Sequence, residues 1–372
     1  VLIGVFFCPQ LIITFKGVKS IFKTVAVLSI VPQLLLVKWL GNHPDLVEAY
    51  YSEGVYPYIA KFLRSLFGWI PFSIGDVFYT LLGFAILRYC VVNRYNFRER
   101  PRKIIMDLGL LLSVTYFIFH LLWGMNYYRL PIEHKLRIQR SYTVKDLEIF
   151  TQKLVVKTNA LQEHITKDSA KAVHLLQTKT QIFKDTPISY KYASTDFPFL
   201  TYKKTSLKKS LYSLPLTYMG YGGYFNPFTG EAQVNGKIPI LRYPTVSAHE
   251  VGHQLGYSAE DATNFIGFLV TSKSKDIHYS YASYSHMLAY CLSDLRARDE
   301  KTFQKLWEQL NAGIKKNYEE LNTFWEAYEN PTEPIFKEIF NTFLKANSQE
   351  EGILSYNSVV GLLINYDKKY GY

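Results

Sequence analysis

Three apolar runs in the first third of the chain constrain everything that follows them. TVAVLSIVPQLLLVKWL (24–40) stays free of charge until Lys38, and IGDVFYTLLGFAILRYCVV (74–92) is charged only near its ends, at Asp76 and Arg88. IIMDLGLLLSVTYFIFHLLW (104–123) has Asp107 near its start and His120 near its end. Each run is close to the ~20 residues a helix needs to cross a bilayer. A charge close to a span's end costs far less than one at its centre, and Lys38 can snorkel to the headgroups. Three transmembrane helices are therefore expected, in preference to core helices of a soluble protein. VLIGVFFCPQLIITF (1–15) is also apolar, but it is short and holds Pro9. With no basic n-region and no small-residue cleavage site, it does not read as a cleaved signal peptide. A partial segment, an interfacial helix and the tail of a longer start all stay open for it.

Charge sets the expected orientation. The net charge of +11 invites either nucleic acid or a membrane as partner. Residues 1–128 hold 12 Lys+Arg against 6 Asp+Glu, and this excess flanks apolar runs without forming a basic helix or an aromatic-basic repeat. That favours the lipid bilayer and disfavours nucleic acid. NRYNFRERPRK (93–103) sets five basic residues against Glu99, and Lys16, Lys19 and Lys23 precede the first run. Residues 41–73 offer only Lys61 and Arg64 against Asp45, Glu48 and Glu53. The positive-inside rule then puts the N-terminus and the 93–103 loop in the cytoplasm of a multi-pass plasma (inner) membrane protein. Three crossings leave everything after Trp123 on the extracytoplasmic side. WGMNYYR (123–129) supplies an aromatic and arginine belt at that exit, and YPYIAKFLRSLFGWIPF (56–72) has the character of a surface-lying segment.

Beyond residue 128 nothing is apolar enough to span, which gives an N-terminal segment (1–23), a membrane domain (24–128) and a third domain (129–372). That third domain is rich enough in apolar and aromatic residues to fold around a core. Thr143 and Asp146 stand at capping-box spacing before Leu147, Phe150, Leu154, Leu161 and Ile165, the period of an amphipathic helix. A second helix is expected over 168–184, a strand at EAQVN (231–235) and mostly helix from 283 to 346. The fold class is thus mainly α with a small β region. Cys8, Cys90 and Cys291 lie in apolar contexts with no partner at metal or redox spacing, and read as small buried hydrophobes.

The chemistry lies in HEVGHQLGYSAEDATNF (249–265). Positions i and i+4 of a helix differ by about 40° of rotation, so His249 and His253 share a face and can share one ion. Zinc accepts imidazole nitrogen readily. Glu250 can reach a water at such an ion without binding the metal, as a general base must. Gly256 suits the left-handed turn that ends the helix, and Ser258 with Asp261 suggests the cap of a second one. Glu260 would then point back at the histidines as third ligand, ahead of Asp261, which has a capping role available. Asn264, one turn on, would steady the site from behind the ligands together with Asp261. Ala259 replaces the histidine that HExxHxxGxxH would require. For the oxyanion donor, HYSYASYSHM (278–287) offers Tyr284, Tyr281 and His286. EAQVN could serve as an edge strand for an extended peptide, and Glu231 could meet a substrate's positive end, although a structural role fits it better.

Several separated landmarks together resemble a known family: YSEGVYP (51–57), WIPFSIGD (69–76), WGMNYYR (123–129), GYFNPFTGEAQVN (223–235) and the histidine segment. The resemblance is to bacterial integral membrane proteins of unknown function that carry HExxH and are regarded as membrane-anchored, gluzincin-like zinc metallopeptidases. It implies a zincin-like, mostly helical catalytic domain, one zinc ion and a peptide or protein substrate. In that family the later segment usually reads E-D-E-A-N-F; here the second glutamate is replaced by Ala262, which favours Glu260 as the ligand. Two other readings remain: a zinc hydrolase of another amide or ester, and an inactive zinc-binding scaffold. The scaffold would have no need of Glu250.

Overall fold

A computed structural model of the chain describes residues 20–347, 349, 352 and 358–371, so the expectations for residues 1–15 and for Cys8 lie outside it. Helix α1 (Ser20–Leu28) runs into α2 (Ile30–Gly41) through a one-residue break at Ser29, whose hydroxyl donates to the Ala26 carbonyl at 2.7 Å. α3 (Tyr56–Phe67), α4 (Ile74–Val92) and α5 (Pro101–Leu122) follow. Three helical stretches, Ile21–Gly41, Ile74–Val92 and Pro101–Leu122, are long and apolar enough to cross a membrane, in agreement with the three runs. Their Leu35, Phe84, Leu87 and Phe117 point outward, the reverse of a helix that buries its apolar stripe in a water-soluble core. Asp107 fits in α5 because it is buried against Lys23 and accepts the Tyr89 hydroxyl at 2.5 Å. Cys90 is exposed on α4 rather than buried, whereas Cys291 is enclosed in the core.

α3 has two faces. Tyr58, Phe62 and Leu66, at i, i+4 and i+8, are exposed, while Tyr56, Ala60, Leu63 and Arg64 are buried against the rest of the protein.

The expected capping box is present at Thr143 and Asp146 and opens α6 (Val144–Thr166). The next helix is displaced from 168–184: α7 spans Lys179–Asp196, capped by the Thr178 hydroxyl. The intervening chain is irregular and its backbone is held by distant side chains: Gln162 Nε2 donates to the Asp168 carbonyl at 2.9 Å and the Lys171 carbonyl at 2.7 Å, and Asn317 Oδ1 accepts the Val173 amide at 2.9 Å. After the three-stranded sheet come α8 (Tyr243–Gln254), α9 (Glu260–Ser272), α10 (Ile277–Arg298), α11 (Glu300–Glu308), α12 (Ala312–Glu326) and α13 (Glu333–Ala346). A last helix, α14 (Val359–Tyr370), was not anticipated; its Val359, Leu362 and Leu363 are completely buried in the main core.

The sheet has the order β1 (Leu207–Lys209), β3 (Glu231–Val234), β2 (Gly223–Asn226). β1 runs parallel to β3 with Leu207 opposite Ala232, and β2 antiparallel with Phe225 opposite Ala232. EAQVN is thus a central strand paired on both sides, with no edge to offer a peptide. Glu231 is fully buried and structural. It pairs with Lys208, accepts Thr229 Oγ1 at 2.9 Å, and accepts the Ile74 amide at 3.1 Å at the start of α4. A carboxylate at a helix N-terminus satisfies orphan amides and the helix dipole together, so the second apolar helix is pinned to the sheet.

The same joining recurs at the C-terminal end of α8, where the last carbonyls have no partner within the helix. Gln254 O accepts from Tyr56 Oη at 2.9 Å and Arg64 Nη1 at 3.0 Å, and His253 O accepts from Trp123 Nε1 at 3.1 Å. Gly256 O accepts from Arg129 Nη1 at 2.8 Å. The expected division at residue 128 therefore runs through a continuous hydrogen-bonded contact.

Candidate metal centre

α8 opens with Pro244 in its first turn, where the missing amide hydrogen costs nothing. It lies between β3 and α9 and is buried on almost every face. Gly252 permits the close approach of α9, since a Cβ there would stand 3.0 Å from Thr263 Cγ2. Gly256 has φ +86°, the left-handed conformation expected of the turn. The following helix starts differently from the expected pattern. Ala259 is its N-cap, and the Ser258 hydroxyl donates to the Asn126 carbonyl at 2.8 Å. Glu260 is therefore the first residue of α9, and its carboxylate turns toward the histidines.

His249 Nε2 lies 3.2 Å and His253 Nε2 3.7 Å from Glu260 Oε2, and one ligand atom from each residue lies within 4.8 Å of the others. The far side of each ring is occupied. His249 Nδ1 donates to Asn264 Oδ1 at 2.9 Å, and His253 Nδ1 to the Tyr257 carbonyl at 2.7 Å. These bonds fix the tautomer that aims both Nε2 lone pairs inward, the usual support behind a metal-binding imidazole. Glu260 Oε2 is buried without a hydrogen-bond partner, as is Glu250 Oε2. Converging nitrogen and oxygen acceptors with an orphaned buried carboxylate oxygen form a donor set that fits a small divalent cation.

Burial and mutual charge shift the proton affinities of these groups. Burial pushes the Glu250 carboxyl up to about 7, against the lowering effect of His249 and His253. His253 rises to about 8: burial works to lower it, and the Glu260 charge and contact overcome that. Burial also opposes ionisation of Glu260, yet the charges and contacts of the two histidines hold its carboxyl well below the usual range.

Asp261 stands apart from this centre, contrary to its expected place behind the ligands. It pairs with Arg140, accepts the Ala262 amide at 2.7 Å, and lines a separate recess. The tyrosines expected to stabilise an oxyanion are also elsewhere. Tyr281 is fully buried and donates to Asn317 Oδ1 at 2.8 Å, and Tyr284 packs edge-on against Phe268. The face of α10 that reaches the centre carries His286 and Tyr290, one turn apart. With His249 and Glu250 they line a cavity of about 340 Å³, a size suited to a small organic ligand. The Gly222–Gly223 pair borders it too, and a Cβ on Gly223 would sit 2.6 Å from Glu250 Oε1.

The model of a protein family of unknown function, DUF3810, matches residues 51–364. The chain belongs to that family. No curated protein and no solved structure matches it. The matched range begins just before Tyr56 and ends within α14, so it takes in both the membrane-side hydrogen-bond donors and the His249–Glu260 cluster as one unit.

Proposed function

We propose that the chain is a membrane-anchored, zinc-dependent metallopeptidase. His249, His253 and Glu260 would be its metal ligands and Glu250 its general base, in a zincin-like domain outside the cytoplasm. The observation that carries this reading is the division of labour between two glutamates. Glu260 faces both Nε2 atoms, whereas Glu250 lies outside the ligand cluster, buried, with a free oxygen in the adjoining cavity. A purely structural site has no use for the second carboxylate.

Bound zinc supplies Lewis-acid polarisation of a water and of a carbonyl oxygen. Glu250 takes the proton of the attacking water and delivers it to the departing amine. Asn264 and the Tyr257 carbonyl hold the imidazoles in register. β2, paired only to β3 among the described residues, leaves an edge beside Glu250 where an extended peptide can add as a further strand.

Two facts support the orientation. Residues 93–103 join the far ends of α4 and α5, and Tyr56, Arg64, Trp123 and Arg129, which hold α8, come from the opposite ends. With the basic loop in the cytoplasm, the site lies outside.

The test uses full-length protein in detergent. Wild type should purify with one equivalent of zinc, His253→Ala with none, and Glu250→Gln with zinc but with cleavage reduced about 10²–10⁴-fold. Wild type that takes up no zinc would sink the proposal, and cleavage by Glu250→Gln at the wild-type rate would remove the assigned base. A reporter fused after residue 372 that signals from the cytoplasm would overturn the orientation.

A further inference from the structure

The cavity beside Glu250 contains a positive charge that nothing described neutralises. Arg242 ends the short 3-10 turn Ile240–Arg242 and leads directly into α8. Its backbone is fixed: the amide donates to the Pro239 carbonyl at 3.0 Å, and its own carbonyl accepts Thr245 Oγ1 at 3.0 Å. Its side chain lines the cavity with His249 and Glu250, and makes no ion pair or hydrogen bond among the described residues. Other arginines packed against the protein have partners. Arg64 donates to the Gln254 carbonyl, Arg129 pairs with Glu48, and Arg140 pairs with Glu133 and Asp261. A guanidinium stays charged at any physiological pH, and an enclosed charge without a counter-ion is costly.

Glu250 shares the cavity lining but forms no ion pair with Arg242, and the other groups around Arg242 supply no negative charge but can supply donors. His286 Nδ1 is buried without a partner, and burial, reinforced by the charge of Arg242, holds that ring well below its usual pKa. The Tyr290 hydroxyl accepts Asn264 Nδ2 at 3.4 Å, and no described acceptor takes its own proton. Lys337 also borders the cavity but is paired with Glu333 at 2.6 Å. The missing partner is an anion that enters with the ligand, and the fork of a guanidinium matches a carboxylate.

We propose that Arg242, assisted by His286 and Tyr290, captures a substrate carboxylate, so that the cavity selects peptides presenting a free carboxylate close to the bond to be cut. The significance of this subsite for cleavage rests on the hydrolase reading, but capture of the carboxylate does not depend on it. Two sources share this chemistry, a C-terminal α-carboxylate and an acidic side chain.

The experiment measures binding to zinc-free, full-length protein in detergent by calorimetry. The probes are N-acetylphenylalanyl-leucine, its C-terminal amide, and N-acetylphenylalanyl-aspartate amide. A charge-assisted hydrogen bond predicts that wild type binds the free acid about ten- to a hundredfold more tightly than its amide. Arg242→Gln should bind both alike, while Arg242→Lys should keep part of the preference. The aspartate amide matching the free acid identifies side-chain carboxylates as acceptable ligands; matching the leucine amide restricts capture to the chain terminus. Equal binding of acid and amide by wild type overturns the inference and needs no folded variant. So does a full preference retained by Arg242→Gln. An Arg242-dependent preference in a protein that takes up no zinc would defeat the hydrolase reading alone. Zinc-dependent cleavage with no preference would defeat this inference alone.

Discussion

Replacing Gly223 with alanine separates the position of the proposed base from the integrity of the proposed metal site. A Cβ at Gly223 would lie 2.5 Å from the Gln233 carbonyl oxygen and 2.6 Å from Glu250 Oε1, where ordinary contact begins at 3.4 Å. Roughly 0.8 Å must therefore be found on each side. The Gln233 carbonyl belongs to the central strand, paired on both sides, and cannot yield cheaply. The Glu250 carboxylate is the flexible member and swings aside, while the edge strand β2 shifts locally to clear the Gln233 carbonyl. Overpacking of this kind costs about 1–3 kcal/mol of stability, and a 1 Å misplacement of a reacting group costs about 10²-fold in rate. The three atoms nearest the new methyl belong to Gln233 and Glu250, none to His249, His253 or Glu260. Peptide turnover measured beside zinc content should show turnover down about a hundredfold with zinc at the wild-type level. Gly222→Ala is the internal control, because its Cβ would meet only Val246, at 3.4 and 3.5 Å. Wild-type turnover in Gly223→Ala, or equal loss in both variants, would refute the reasoning.

Other outcomes follow from the same geometry. Glu260→Gln should abolish zinc uptake. Asp261→Asn should retain zinc, because Asp261 pairs with Arg140 away from the histidines; if Asp261→Asn instead loses zinc, the ligand assignment is wrong. Tyr281→Phe should leave turnover unchanged and cost about 1 kcal/mol, read by thermal unfolding, because its hydroxyl serves Asn317. In the zinc-free protein, the raised Glu250 contributes stability that is complete below 4.5 and lost as pH rises through about 7. The raised His253 contributes stability that is complete below 6.5 and lost through about 8. Glu260, held low, contributes stability above 4.5 that is lost in acid. The zinc-free melting temperature should therefore fall by several degrees from about pH 6 to pH 9. Zinc should oppose that fall, since its ligands bind deprotonated. A zinc-free melting temperature that rises over this range would contradict the assignment.

What the sequence disclosed and what it hid divide along physical lines. Apolar runs and the i, i+4 spacing of His249 and His253 are local properties, so three long apolar helices and a convergent His–His–Glu cluster could be read directly. Gly256 announced its turn for the same reason. Strand order is not local: EAQVN has the composition of a strand, but nothing in it tells centre from edge. The face that a buried helix turns to a cavity is equally hidden when polar and apolar residues are mixed around it without one clear stripe, as they are on α10. Tyr281, Tyr284, His286 and Tyr290 all lie on that helix, and only packing decides that the last two line the cavity beside Glu250. Arg242 carried no signal beyond its place just ahead of the motif helix, because a missing partner is visible only once every neighbour is in position. The stretch before α7 is held out of a helix by bonds from distant residues, Gln162 to the Asp168 and Lys171 carbonyls and Asn317 to Val173, which no periodicity records.

The four side chains that close the end of α8 have a consequence for how such a protein could be controlled. Tyr56, Arg64, Trp123 and Arg129 come from the segments bordering the apolar helices, and they complete the helix that carries His249 and His253. A fragment shed into solution by cutting after residue 128 would lose the first three at once and leave buried carbonyls without donors. Release from the bilayer and loss of function would then be a single event. A protein built this way would be competent only where it is correctly inserted, and harmless both before assembly and after it is clipped free.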